Sequence, residues 1–162
     1  MKATTPPQTR SAAPDEFRVI VGKRPWRVWK GFSSFLLFEF GRAHRNEDGS
    51  RSGAYTLWIY LADWTVWKEA QELAHSESPD EVIHRAAEAF VGKCVLNVTM
   101  ACFIEQRRTQ TRATFRFEGG YILRAAMYDR GADDDAIFYL YTPKGILSYR
   151  RDGLMESEPL AA

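Results

Sequence analysis

The stretch "GAYTLWIYLADWTVW", Gly53 to Trp67, holds three of the chain's five tryptophans, with two tyrosines and four aliphatics. Alternation puts Tyr55, Leu57, Ile59 and Leu61 on one side of a strand and Thr56, Trp58, Tyr60 and Ala62 on the other. Both sides are largely apolar, which is the pattern of a central strand covered on both faces. Trp58 and Tyr60 are therefore expected beneath a helix or a second sheet, where large aromatics dominate packing. Asp63 is expected in a tight reversal, with Trp64 to Trp67 returning. Past that turn, Trp64 and Trp67 become the candidates for exposed surface.

Upstream, "WRVWKGFSSFLLFEFG" is strand-like from Ser33 to Phe40, and "GRAHRNEDGSRSG" reads as a loop from its Gly, Asn, Asp and Ser. Downstream, a short helical turn fits Lys68 to Ala74. One helix, at about residues 79–91, is well signalled in "SPDEVIHRAAEAFVG". Ser78 is the expected N-cap, Pro79 the first helical position and Glu81 the partner that closes a capping box. Val82, Ile83, Ala86 and Phe90 form the apolar stripe, and Gly92 the stop. "CVLNVTMACF" alternates with Leu96, Val98 and Met100 on one face. "TRATFRF" turns Ala113, Phe115 and Phe117 inward and Arg112, Thr114 and Arg116 outward. "EGG" and "TPKG" are turns, the second with proline and glycine at β-turn positions.

An internal echo runs through the chain. "FLLFEFG" then "LWIYLADWTVW" resembles "ATFRFEGG" then "IFYLYTPKGILSY". Each copy is a Phe-x-Phe strand with glycine close behind, an aromatic strand, a turn and a return strand. The expected fold is α+β: mainly antiparallel curved sheets with one main helix between two similar β-units.

A length of 162 residues suits one domain with a real core. The expected division is a disordered arm over residues 1–16, a single domain over 17–153 and a flexible tail over 154–162. No run approaches the roughly 18 apolar residues of a membrane span. "MKATTPPQTRSAAPDE" lacks the apolar segment of a secretory signal, so a cytoplasmic, reducing location is expected. Cys94 and Cys102 lie eight residues apart. On one strand that is about 26 Å, beyond the roughly 7 Å a disulfide allows, so they are expected as small core residues. Net charge is +1, but it is unevenly spread. The N-terminal stretch is basic, residues 63–88 are acidic, and Asp133, Asp134 and Asp135 form a second acidic spot. Such separation steers a charged partner.

The sequence carries no recognisable catalytic motif. His44, His75 and His84 lack metal-binding spacing, and "GFSSF" departs from G-x-S-x-G at Phe35. No metal site and no cofactor are expected, and the chain leans away from being an enzyme. Cys94 with His84 is a weaker arrangement than Cys94 buried on a strand. Glu39 lies between Phe38 and Phe40, and Asp63 beside Trp64, where a carboxyl can serve as an acid. Arg107, Arg108, Arg112 and Arg116 sit near aromatics, yet Arg112 and Arg116 face away from Phe115 and Phe117. With near-neutral net charge, nucleic acid ranks low as a partner.

From Trp26 to Gly153 the chain resembles an uncharacterised family of small bacterial proteins, a domain of unknown function. The residues are "W-x-x-x-x-G-x-x-S-F-L" at 26–36, "FEFG" at 38–41, "G-x-Y-x-L-W-I-Y" at 53–60 and Trp64. "SESPDEVI" at 76–83, "G-K-x-x-L" at 92–96, "T-F-R-F" at 114–117 and "YTPKGIL" at 141–147 continue it. The resemblance implies no activity and no catalytic residue. In class, such small α+β proteins are similar to cytosolic immunity partners of bacterial toxins, an analogy of fold.

The expected function is a non-enzymatic protein-binding module, an immunity or antitoxin-like inhibitor of a bacterial toxin. Its expected contact residues are Trp64, Trp67, Glu69 and Glu72, with Asp133, Asp134 and Asp135 as a second patch. The rival is a small-molecule binder or enzyme whose pocket holds Trp58, Tyr60, Tyr139 and Tyr141, with Glu39 or Asp63 as the polar group. A third reading is a homodimer formed by pairing an exposed aromatic strand with another copy.

Overall fold

The computed structural model describes residues 9–12, 15–60, 62–105, 107–128, 136–150 and 153–159. Its elements are β1 (Thr9–Ala12), β2 (Pro25–Lys30), β3 (Leu36–Phe40), β4 (His44–Arg45), β5 (Arg51–Ser52), β6 (Tyr55–Ile59), β7 (Asp63–Lys68) and β8 (Gln71–His75). Helix α1 (Asp80–Phe90) follows, then β9 (Val95–Glu105), β10 (Arg108–Phe117), β11 (Tyr121–Tyr128), β12 (Ala136–Thr142), β13 (Gly145–Arg150) and β14 (Met155–Pro159). The fold is α+β, with antiparallel sheets predominating and one α-helix among the described residues.

Two six-stranded sheets make a sandwich. Sheet A runs β1-β9-β10-β11-β7-β8 and sheet B runs β14-β13-β12-β6-β3-β2. Period-two alternation gives each sheet one apolar inner face. Phe115 and Phe117 of sheet A meet Phe138 and Phe38 of sheet B, with ring centroids 5.4 and 5.6 Å apart. Helix α1 contacts β2 and β8, the edge strands of the two sheets, and so closes one open side. Ile83, Ala86, Ala87 and Phe90 are its buried face, and Phe90 lies 5.8 Å from Phe38 and 5.0 Å from Phe117. The helix starts at Asp80 rather than Pro79, and no capping box forms. The Ser78 hydroxyl instead accepts from the His75 N–H at 3.0 Å. Gly92, at φ 79°, stops the helix as expected. At the other side the 3-10 turn Phe17–Ile20 wedges Phe17 against Phe138, 5.1 Å away.

The structure corrects several expectations. Asp63 does not sit in a tight reversal; it opens β7. Strands β6 and β7 belong to different sheets, so the chain crosses the sandwich there. Crossing changes which parity faces the core: Leu57 and Ile59 point inward from sheet B, then Trp64 and Val66 from sheet A. Trp64 is 1% exposed and donates its indole N–H to the Ser34 carbonyl at 2.6 Å, so it is a core residue and not a surface anchor. The helical turn expected over Lys68 to Ala74 is instead a hairpin into β8, with Glu69 at φ 55° in its turn. Leu96 does not share a face with Val98 and Met100. The register shifts between Arg116 and Phe117, so Leu96 has no partner on β10 and is 57% exposed, while Val95 is buried.

Both expected termini contribute strands. Thr9–Ala12, within the expected arm, pairs with β9, and Met155–Pro159, within the expected tail, pairs with β13. The acidic "MESEP" has the charge and proline that protect a sheet edge. Cys94 and Cys102 are free and half-buried, less enclosed than expected. No helix among the described residues is long and apolar enough to cross a membrane.

Candidate functional site

Trp58 and Tyr60 do not lie beneath a helix or a second sheet. They project from the outer face of sheet B, because α1 packs at the sandwich edge. Register places two rows of side chains across that face. One row is Arg27, Glu39, Thr56, Tyr141, Ile146 and Glu158; the other is Trp29, Leu37, Trp58, Tyr139, Ser148 and Glu156. The aromatic strands of the sequence echo, β6 and β12, are thus neighbours in one sheet. The Trp58 ring lies 5.6 Å from Phe35, 5.0 Å from Tyr60, 5.7 Å from Tyr139 and 6.2 Å from Tyr141.

The segment expected as a plain loop, residues 41–53, forms a small hairpin beside this face. Its strands β4 and β5 pair, and side chains lock its turn. The Asn46 amide donates to Ser50 Oγ at 2.9 Å and Ser52 Oγ at 2.8 Å; Asp48 accepts from the Ser50 N–H at 2.9 Å. The Ser50 hydroxyl and N–H bonds hold the Asp48 carboxyl below its ordinary value. Sheet and hairpin together enclose a groove of about 840 Å³, lined among others by Arg27, Trp29, Glu39, Asn46, Trp58 and Tyr141.

Glu39 is 2% exposed yet sits in the groove wall. Its Oε2 accepts from the Gly53 N–H at 2.9 Å and from the Thr56 hydroxyl at 2.6 Å. Among the described residues it forms no ion pair. Burial, then the Glu158 carboxylate, push the Tyr141 phenol above its ordinary value, so it is a neutral hydroxyl at neutral pH. Trp29 and Trp58 bury their indole nitrogens without a hydrogen-bond partner, and so does Trp26. A buried unpaired donor costs about 1–3 kcal/mol, so the two on this face, Trp29 and Trp58, call for explanation. The indoles of Trp64 and Trp67, both in sheet A, are satisfied by Ser34 and Thr65.

Of the expected pocket, Trp58, Tyr141 and Glu39 line the groove, while Tyr60 and Tyr139 extend its aromatic cluster. Asp63 is not part of it: it is exposed at the start of β7 in the other sheet. Sequence reasoning missed Trp29, Arg27 and the hairpin. The signal was present in "NEDGS", a turn flanked by short polar segments able to pair. Gly53 is where hairpin and sheet meet. A Cβ there would collide with the Phe40 carbonyl and lie 2.8 Å from the Phe40 nitrogen. Gly53→Ala is expected to cost about 1–3 kcal/mol, read as a lower denaturant midpoint.

The other expected patch is partly assembled. Trp67 and Glu72 are cross-strand partners on β7 and β8, with Glu69 in the turn between them. Asp133, Asp134 and Asp135 lie outside the described residues. Arg112, Arg116 and Arg124 gather on the outer face of sheet A; burial, then Arg112 and Arg116, lower the Arg124 pKa, and its guanidinium lies 6.0 Å from the Trp67 ring. His44, His75 and His84 are all exposed, and among the described residues no group of three ligating side chains is placed to hold a metal. Strand β6 is paired on both sides, by β3 and β12, so it offers no free edge to a second copy.

Fold and site together define an antiparallel two-sheet sandwich, closed by one helix, with an aromatic groove on its outer face. No protein-family model, no curated protein and no solved structure matches the chain.

Proposed function

We propose that the chain is a non-enzymatic binding protein that takes a small organic ligand in the groove on sheet B. The observation that carries this reading is the groove itself: about 840 Å³, aromatic on its floor, with unpaired indole donors and one buried carboxylate in its wall. That is the size and mixture of a ligand pocket, apolar with a few placed polar groups. The two echoed strands, β6 and β12, both contribute aromatic rings to the cluster, which supports reading them as parts of similar β-units. A metabolite panel tests the proposal by melting temperature. A true ligand raises it for the native chain and leaves Trp58→Ala unmoved. A panel whose stabilising compounds act equally on Trp58→Ala contradicts it.

A second reading has its own observation. Trp67 and Glu72 face each other across the β7–β8 hairpin, an aromatic anchor beside acidic residues. This supports a protein-binding module, which we read as a cytosolic immunity-like inhibitor of a bacterial toxin. Trp67→Ala with Glu72→Lys is expected to cut affinity for a co-purifying protein by about 30-fold or more. Unchanged affinity removes the patch from consideration.

A further inference from the structure

We infer that the occupant of the groove is a small quaternary or tertiary alkylammonium cation seated on the Trp58 ring; this rests on the groove reading above. Three features converge on a positive charge. The first is Glu39, a nearly fully buried carboxylate that forms no ion pair among the described residues. Arg27 stands directly across from it in register, but its guanidinium stacks on Trp29 at 4.6 Å. A buried charge without a counter-ion is costly, and a cation brought by a ligand relieves that cost.

The second feature is the distribution of cations over indole faces. Trp26, Trp29 and Trp67 each carry a guanidinium, from Arg51, Arg27 and Arg124. Trp58 carries none among the described residues, although it is half-buried and ringed by Phe35, Tyr60 and Tyr141. The negative faces of clustered aromatic rings are a receptor for ammonium groups. The third is Glu158, in the same row as Glu39 and close enough to Tyr141 to raise its pKa. Along that row Glu39 and Glu158 each stand two strands from Tyr141; Glu158 lies outside the lining of the groove, which Arg27 and Arg51 share with Glu39. An alkylammonium suits the Trp58 end of the groove because it needs a carboxylate and ring faces rather than directed hydrogen bonds.

Calorimetric titration of the full chain with choline, and with its neutral isostere in which a tert-butyl group replaces trimethylammonium, tests the inference. Choline is expected to bind saturably and about tenfold more tightly than the isostere. Glu39→Gln keeps the shape and an acceptor for Gly53 and Thr56, and is expected to narrow that gap. Trp58→Leu is expected to remove choline binding while melting as a folded protein. An isostere that binds as well as choline overturns the cation and leaves the groove standing. Choline that fails to bind also overturns it. Choline that binds Trp58→Leu as well as the native chain overturns cation and groove together.

Discussion

Phe38→Ala is expected to cost about 3–5 kcal/mol, the usual range for deleting a buried phenyl ring. Phe38 is fully buried and joins three parts of the fold. It stands in β3 of sheet B, contacts Phe117 of sheet A and meets Phe90 of the helix. Removing it opens a cavity where both sheets and α1 converge. Domains of this size are stable by about 5–15 kcal/mol, so the loss is a large share of the total. The melting temperature is expected to fall by about 6–20 °C. Phe32, 87% exposed in the β2–β3 turn, is the natural control. Phe32→Ala is expected to change stability by no more than about 0.5 kcal/mol. Equal effects at the two positions would contradict the packing of sheet on sheet.

Trp58→Ala carries the second large expectation, and it concerns binding. The ring is the hub of the outer aromatic cluster, within 6.2 Å of Tyr60, Tyr139, Tyr141 and Phe35. Central aromatic anchors cost about 2 kcal/mol or more on truncation, so ligand affinity is expected to drop about 30-fold or further. The fold is expected to persist, because Trp58 is only half-buried and contributes nothing to the space between the sheets. Titration of the variant with any compound that stabilises the native chain checks both halves. A variant that binds normally would place the site elsewhere.

Much of the fold was legible in period-two alternation. Ala113, Phe115 and Phe117 point inward as the pattern requires, and the helix around Ile83, Ala86 and Phe90 lies where its apolar stripe put it. What escaped has a common cause: parity holds only while a strand stays regular and in one sheet. The crossing between Ile59 and Asp63 turned Trp64 inward, and the bulge at Leu96 turned it outward. Local composition also misled at the edges. "MESEP" looks like a solvated tail because an edge strand is protected by the same charges that mark disorder. The site was half visible. Trp58, Tyr139, Tyr141 and Glu39 stood out as residues, but the register that aligns them with Trp29, and the hairpin that walls them, are long-range facts.

The five tryptophans provide five indole N–H signals in a nitrogen–proton correlation spectrum, one for each ring. Following them while a stabilising ligand is added tests most directly whether the groove is the binding site. The expected result is movement of Trp58 and Trp29, with Trp64 and Trp67 unmoved. Movement of Trp67 with Trp58 and Trp29 unmoved would contradict the groove and assign binding to the β7–β8 hairpin instead.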